Sequence, residues 1–179
     1  MKYHIPLITS LMLGSAAHAA PYCVDLLNRE ALPKKYAKAA PIYSDKASGW
    51  IFTQDQLKDR YEMKSSSLTL VQAIVDEFAA RDMPLAIVVA PPRPVIAGQD
   101  RLDAAMGQSL YSVADAHSSF DKLITQLAST GAIVPNQLDV ALADPDIRDR
   151  FYFRRDTHWT TVGSAVSAIA LANSVNAQA

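Results

Sequence analysis

Leu85-Ala86-Ile87-Val88-Val89-Ala90-Pro91-Pro92-Arg93-Pro94 is the stretch on which the fold turns. Its first six residues are all apolar and half of them are β-branched. Such a run is too short for an ordinary helix and suits a strand buried on both faces. The prolines that follow cannot extend a central strand, so a rigid loop is expected where open α/β sheets gather ligand-binding residues. Upstream, Leu68, Val71, Ile74, Val75 and Phe78 recur at helical steps and predict a helix from about Ser67 that stops at Met83-Pro84. Downstream, Phe120, Leu123, Ile124 and Leu127 form a second stripe within Ala114–Ser129, with Gly131 as its terminator. Ala132-Ile133-Val134-Pro135 predicts another short strand, and Asp139–Leu142 a short helix before Asp144-Pro145. Ser164–Val175 predicts a closely packed small-residue helix capped by Thr160 or Thr161. Helices alternating with buried strands indicate an α/β fold on a parallel sheet. Right-handed crossovers then bring Pro91–Gly98 and Asp156–Val162 to one carboxyl edge.

The chain has 179 residues, half of them apolar and 20% charged, which suits one packed domain. With 17 basic and 18 acidic side chains the net charge is −1, so charge gives no support for nucleic acid or an anionic membrane as partner. Met1–Ala19 reads as a cleaved secretory signal peptide: Lys2, an apolar run from Ile5 to Leu13, then Ala17-His18-Ala19. The run is too short to span a bilayer. Export to the periplasm is expected, with residues 20–179 as the mature domain. Ala20–Pro41, holding Pro21, Pro33 and Pro41, reads as irregular or partly helical. Cys23 is the only cysteine, an oddity for an exported protein. The chain holds no Gly-rich phosphate loop and no CxxC or HExxH spacing, and neither a cofactor nor a metal is expected.

Asp156-Thr157-His158 carries the candidate chemistry. An imidazole takes a proton from a hydroxyl only when its tautomer and orientation are fixed, commonly by a carboxylate at Nδ1. Two residues apart in an extended loop, Asp156 and His158 can point to the same side. The same spacing also fits a solvated surface pair, or two ligands of a metal whose remaining ligands are dispersed. Gly49-Trp50-Ile51-Phe52 reads as a short strand whose aromatic residues pack in the core.

Asp156-Thr157-His158-Trp159-Thr160 with Gly163, the preceding VVAPPRP segment and the distant Gly49-Trp50-Ile51-Phe52 together resemble the AlgX/AlgJ alginate O-acetyltransferase family. The resemblance implies an SGNH-hydrolase-like, flavodoxin-like domain of three layers. It makes Asp156 and His158 two members of a Ser-His-Asp triad that passes acetyl from a donor to sugar hydroxyls of an exopolysaccharide. Trp159 would pack beside the site or stack on sugar, and Arg93 would meet a uronate carboxylate or remain a solvated arginine. The family's nucleophilic serine, and a cysteine that some members pair with the one near the N-terminus, would both follow the D-x-H element. After His158, Ser164 and Ser167 lie on a predicted helix and suit packing better than attack, and no cysteine follows, so the resemblance implies a domain incomplete at its C-terminus. Implied partners are a uronate polymer, an acetyl donor with a membrane acetyl-transfer protein, and other exopolysaccharide-assembly proteins. The alternative is a non-catalytic periplasmic component that binds polysaccharide or serves as scaffold.

Overall fold

The computed structural model describes residues 25–107 and 111–178. The expected signal peptide and Cys23 lie outside the described residues. After short 3₁₀ turns between Asp25 and Ala39, strand β1 (Ile42–Ser44) pairs antiparallel with β2 (Ile51–Thr53), Tyr43 opposite Phe52. Asp45 builds the turn between them. Its carboxylate accepts from the backbone N–H of Ala47 and Ser48 and from the Ser48 hydroxyl. Those bonds, the hydroxyl first, hold its carboxyl below the ordinary carboxylate range. The turn leaves Trp50 and Phe52 on the inner side, fully buried and stacked with ring centroids 5.7 Å apart.

Helix α1 (Ser65–Ala79) precedes the diagnostic apolar run and α4 (Val113–Ala128) precedes the second short strand, as the stripes predict. Between them lie α2 (Arg93–Ala97) and α3 (Gln99–Met106), where a plain loop was expected after the strand. The prolines account for the difference, because φ near −65° at Pro92 and Pro94 is already suited to a first helical turn. Helix α2 is buried along its whole length and supplies Val95 and Ile96 to the core. Around it pack Trp50, Phe52, Leu102, Phe120, Leu138 and Phe151.

Three helices complete the chain. Asn136 caps α5 (Gln137–Leu142), Asp144 caps α6 (Pro145–Phe151), and Thr160 caps α7 (Thr161–Asn176). Helix α6 was not expected, although an Asp N-cap followed by Pro at N1 is a strong start signal.

The parallel sheet is reduced, among the described residues, to one parallel bridge between Ala86 and Ile133. Ile87 N–H donates to Ile133 O and Ile133 N–H to Leu85 O, each at 2.9 Å. The run Leu85–Ala90 is not buried on both faces as expected: Val88 is 40% exposed. One paired edge and a helix α1 that buries only Val75 do not suffice to cover it. No helix of the described residues is long and apolar enough to cross a membrane.

Candidate functional site

Two aromatic residues fix the loop that carries Asp156 and His158. Phe151 ends α6 fully buried, Tyr152 pairs antiparallel with Trp159, and the Tyr152 hydroxyl donates to Pro91 O at 2.7 Å. The Phe153 N–H donates to His158 O at 3.3 Å, and the Thr160 N–H to Phe151 O at 3.0 Å. The chain thus leaves the core at Phe153, makes a short exposed loop and returns at Trp159, whose ring lies 5.8 Å from that of Phe151. Thr160 then caps α7 by accepting from Gly163 N–H at 3.1 Å. Gly163 is obligatory here, since a Cβ would stand 2.3 Å from Phe151 O.

At the loop's tip Asp156 Oδ1 lies 2.6 Å from His158 Nδ1 and also accepts the His158 backbone N–H at 3.1 Å. One carboxylate oxygen therefore holds both the ring and the backbone of the same residue. The His158 side-chain hydrogen bond is the main cause, the backbone bond the second, of an Asp156 carboxyl held below the ordinary range. An ionised acceptor at Nδ1 selects the tautomer with its proton there and leaves Nε2 basic. His158 is largely exposed, and Nε2 has no partner among the described residues. No serine hydroxyl of the described residues bonds His158. Ser48, which lines the adjoining cleft, donates to Asp45 instead.

Arg93 joins this loop to the Gly49–Phe52 element. It is 6% exposed, so a solvated arginine is excluded. All five of its N–H donors are occupied: Nε and Nη2 on Phe153 O at 3.3 and 3.0 Å, Nη2 on Arg154 O at 2.5 Å, and Nη1 on Ile51 O and Gln56 Oε1 at 2.6 and 3.2 Å. Its guanidinium carbon lies 4.6 Å over the Trp50 ring and 5.6 Å over that of Phe52. Burial lowers its pKa to about 10, which leaves it charged at neutral pH. With every donor engaged, the guanidinium has none left for a sugar carboxylate. The physical reason is its place on buried α2 instead of on an exposed loop. What the residue does is hold Phe153 and Arg154, and with them Asp156, against β2.

Trp159 is half-buried and packs on Phe151. The loop also forms one wall of a cleft of about 570 Å³ lined by Ser48, Gly49, Phe153, Arg154, Arg155 and Asp156. This cleft was not legible in the sequence, because its two walls are about a hundred residues apart. A separate grouping not read from the sequence comprises His117 and Asp121, one turn apart on α4, and Asp139 on α5. Their ligand-type atoms lie within 4.8 Å of one another, and Asn136 donates to both carboxylates.

A protein-family model described as an SGNH hydrolase-like domain, acetyltransferase AlgX, matches residues 47–179. The alginate biosynthesis protein AlgX of Azotobacter vinelandii is 27% identical over 168 residues, covering 90% of this chain and 34% of its own length. Its namesake in Pseudomonas putida is 27% identical over 131 residues, covering 71% of this chain and 27% of its own length. The chain therefore spans about a third, or less, of the curated relatives it matches. A solved structure of Pseudomonas aeruginosa AlgX matches 86% of this chain and 36% of its own with a TM-score of 0.65 at 18% identity. At that identity the likeness is one of fold, and it agrees with the α/β class.

Proposed function

This chain belongs to the family of AlgX-type, SGNH hydrolase-like acetyltransferase domains, and on that premise we propose that it serves O-acetylation of a uronate exopolysaccharide of the alginate type. The observation that carries the proposal is the 2.6 Å contact between Asp156 and His158 Nδ1, on a loop whose ends are fixed and whose Nε2 is open to substrate. In this reading His158 is the general base and Asp156 the carboxylate that orients it. A serine from outside the described residues attacks the acetyl carbonyl as Nε2 takes its proton. The new C–O bond forms as the donor's acyl bond breaks, and the proton passes to the departing group. In the second half the sugar hydroxyl gives its proton to Nε2, attacks the acetyl-serine, and the serine oxygen leaves reprotonated. The protein acts in the periplasm after loss of residues 1–19, with other exopolysaccharide-assembly proteins as neighbours and a membrane protein supplying acetyl groups.

The lack of any serine hydroxyl bonded to His158 among the described residues favours one second reading, a polysaccharide-binding or scaffold component of the same machinery without chemistry of its own. One experiment separates the two. A His158→Ala allele replaces the gene in its own host, protein level is checked by immunoblot, and the O-acetyl content of the secreted polymer is measured. The catalytic reading expects acetylation to fall to the level of a deletion strain. Unchanged acetylation in the His158→Ala strain alongside a loss in the deletion strain supports the scaffold.

A further inference from the structure

Three arginines surround the Asp156–His158 loop, and the fold uses them differently. Arg93 has every donor bound to protein. Arg154 gives its carbonyl to Ile51 N–H at 2.9 Å and donates from Nη1 to Ser48 O at 2.9 Å, so it ties the loop to the β1–β2 turn. Arg155 makes no hydrogen bond or ion pair with any described residue, yet it lines the cleft that ends at Asp156. A cleft of about 570 Å³ is within the size range of small-molecule sites. Gly49 on the opposite wall, at φ +77°, has no Cβ, and one built there would stand 3.9 Å from the Arg155 Nη2. The absent side chain keeps the space beside the guanidinium open.

From this geometry we propose that the cleft between Ser48-Gly49 and Phe153–Asp156 is a glycan subsite in which Arg155 binds the carboxylate of a uronate residue. The proposal rests on the acetylation reading and adds the group that recognises the acidic sugar. A planar guanidinium presents two parallel donors that match a carboxylate, the geometry that gives such pairs their selectivity. Asp156 also lines the cleft, and its negative charge is engaged by His158 at 2.6 Å, which lessens its repulsion of an incoming carboxylate. Phe153, half exposed at the same wall, offers an apolar face to a sugar ring. An acidic sugar seated here is held next to the carboxylate that orients the base, so the subsite selects which polymer reaches the chemistry.

The test needs no turnover. The full chain, Arg155→Gln, Arg155→Lys and His158→Ala are titrated calorimetrically with an oligomannuronate, and with its carboxyl-reduced neutral counterpart as control. The expected result is that Arg155→Gln binds the oligouronate at least about tenfold more weakly, that Arg155→Lys recovers part of the loss, and that the neutral oligomer binds the parent no better than it binds Arg155→Gln. Because Arg155 is exposed and unbonded, the variants keep the parental fold, which their melting curves verify. Equal oligouronate affinity in parent and Arg155→Gln, equal affinity for acidic and neutral oligomers, or no binding of either by the parent overturns the subsite. His158→Ala separates this failure from failure of the acetylation reading: binding intact with polymer acetylation unchanged sinks the base and leaves the subsite standing.

Discussion

Asp156 and His158 are held together by one carboxylate oxygen, and that contact makes an acid-range prediction. Hydrogen bonds from His158 keep the Asp156 carboxyl below its usual range, so the pair is fully formed above about pH 4 and is lost as pH falls through the depressed value. Carbon-13 titration of Asp156 should therefore show a pKa below that of an ordinary Asp, moving upward in His158→Ala; an Asp156 that titrates like a free carboxyl in the parent contradicts the contact. Arg93 sets a second test at the same scale. Arg93→Ala leaves the carbonyls of Ile51 and Phe153 without their donor, while Arg154 O keeps the Ile51 N–H, and should cost about 3 kcal/mol or more in urea unfolding. Arg93→Lys, with three donors for five acceptor contacts, should recover only part. A change below about 1 kcal/mol in Arg93→Ala would remove Arg93 from the role of tie. All three residues stood out in the sequence, but for Arg93 only its proximity to prolines was legible. Its burial follows from α2 folding inward, which residue type does not announce.

The segment from Phe151 to Gly163 is where local signals and long-range packing meet. The Thr160 cap and the helix that follows were readable from the sequence, because a cap and a small-residue stripe are local properties. The contact between Gly163 and Phe151 O was not, since it depends on how α7 crosses the end of α6. Gly163→Ala places a methyl where 2.3 Å separates it from a backbone oxygen, which cannot swing away as a side-chain tip can. We expect a loss of about 1–3 kcal/mol in chemical denaturation, together with shifted amide signals for Phe153 to Trp159. Parental stability and an unchanged spectrum would show that α7 is not seated on Phe151. Helix α6 escaped notice although Asp144-Pro145 is a helix start. The reason is that a seven-residue helix has too few turns for its apolar period to emerge.

Across the whole molecule, burial is uneven, and local stability should follow it. Helix α4 buries Ala116, Phe120, Ile124 and Leu127, whereas α1 buries only Val75 and leaves Leu70 and Ile74 exposed at 64% and 44%. Native-state hydrogen exchange should thus open α1 at lower free energy than α4 and α2, and equal protection of α1 and α4 would contradict that ordering. The alternation of helix and apolar run correctly indicated the α/β class, and Ala86 does meet Ile133 in parallel. A pairing limited to one bridge was not legible, because periodicity reports what a strand can bury and not what is present to cover it. The account as a whole depends on Asp156 setting the tautomer of His158, and nitrogen-15 chemical shifts of the imidazole, recorded above the pH at which the ring loses its charge and assigned with His158→Ala, test it most directly. The account predicts a protonated, pyrrole-type Nδ1 and a pyridine-type Nε2 that become averaged or exchanged in Asp156→Asn. A parent protein whose Nδ1 is already the pyridine-type nitrogen would contradict it.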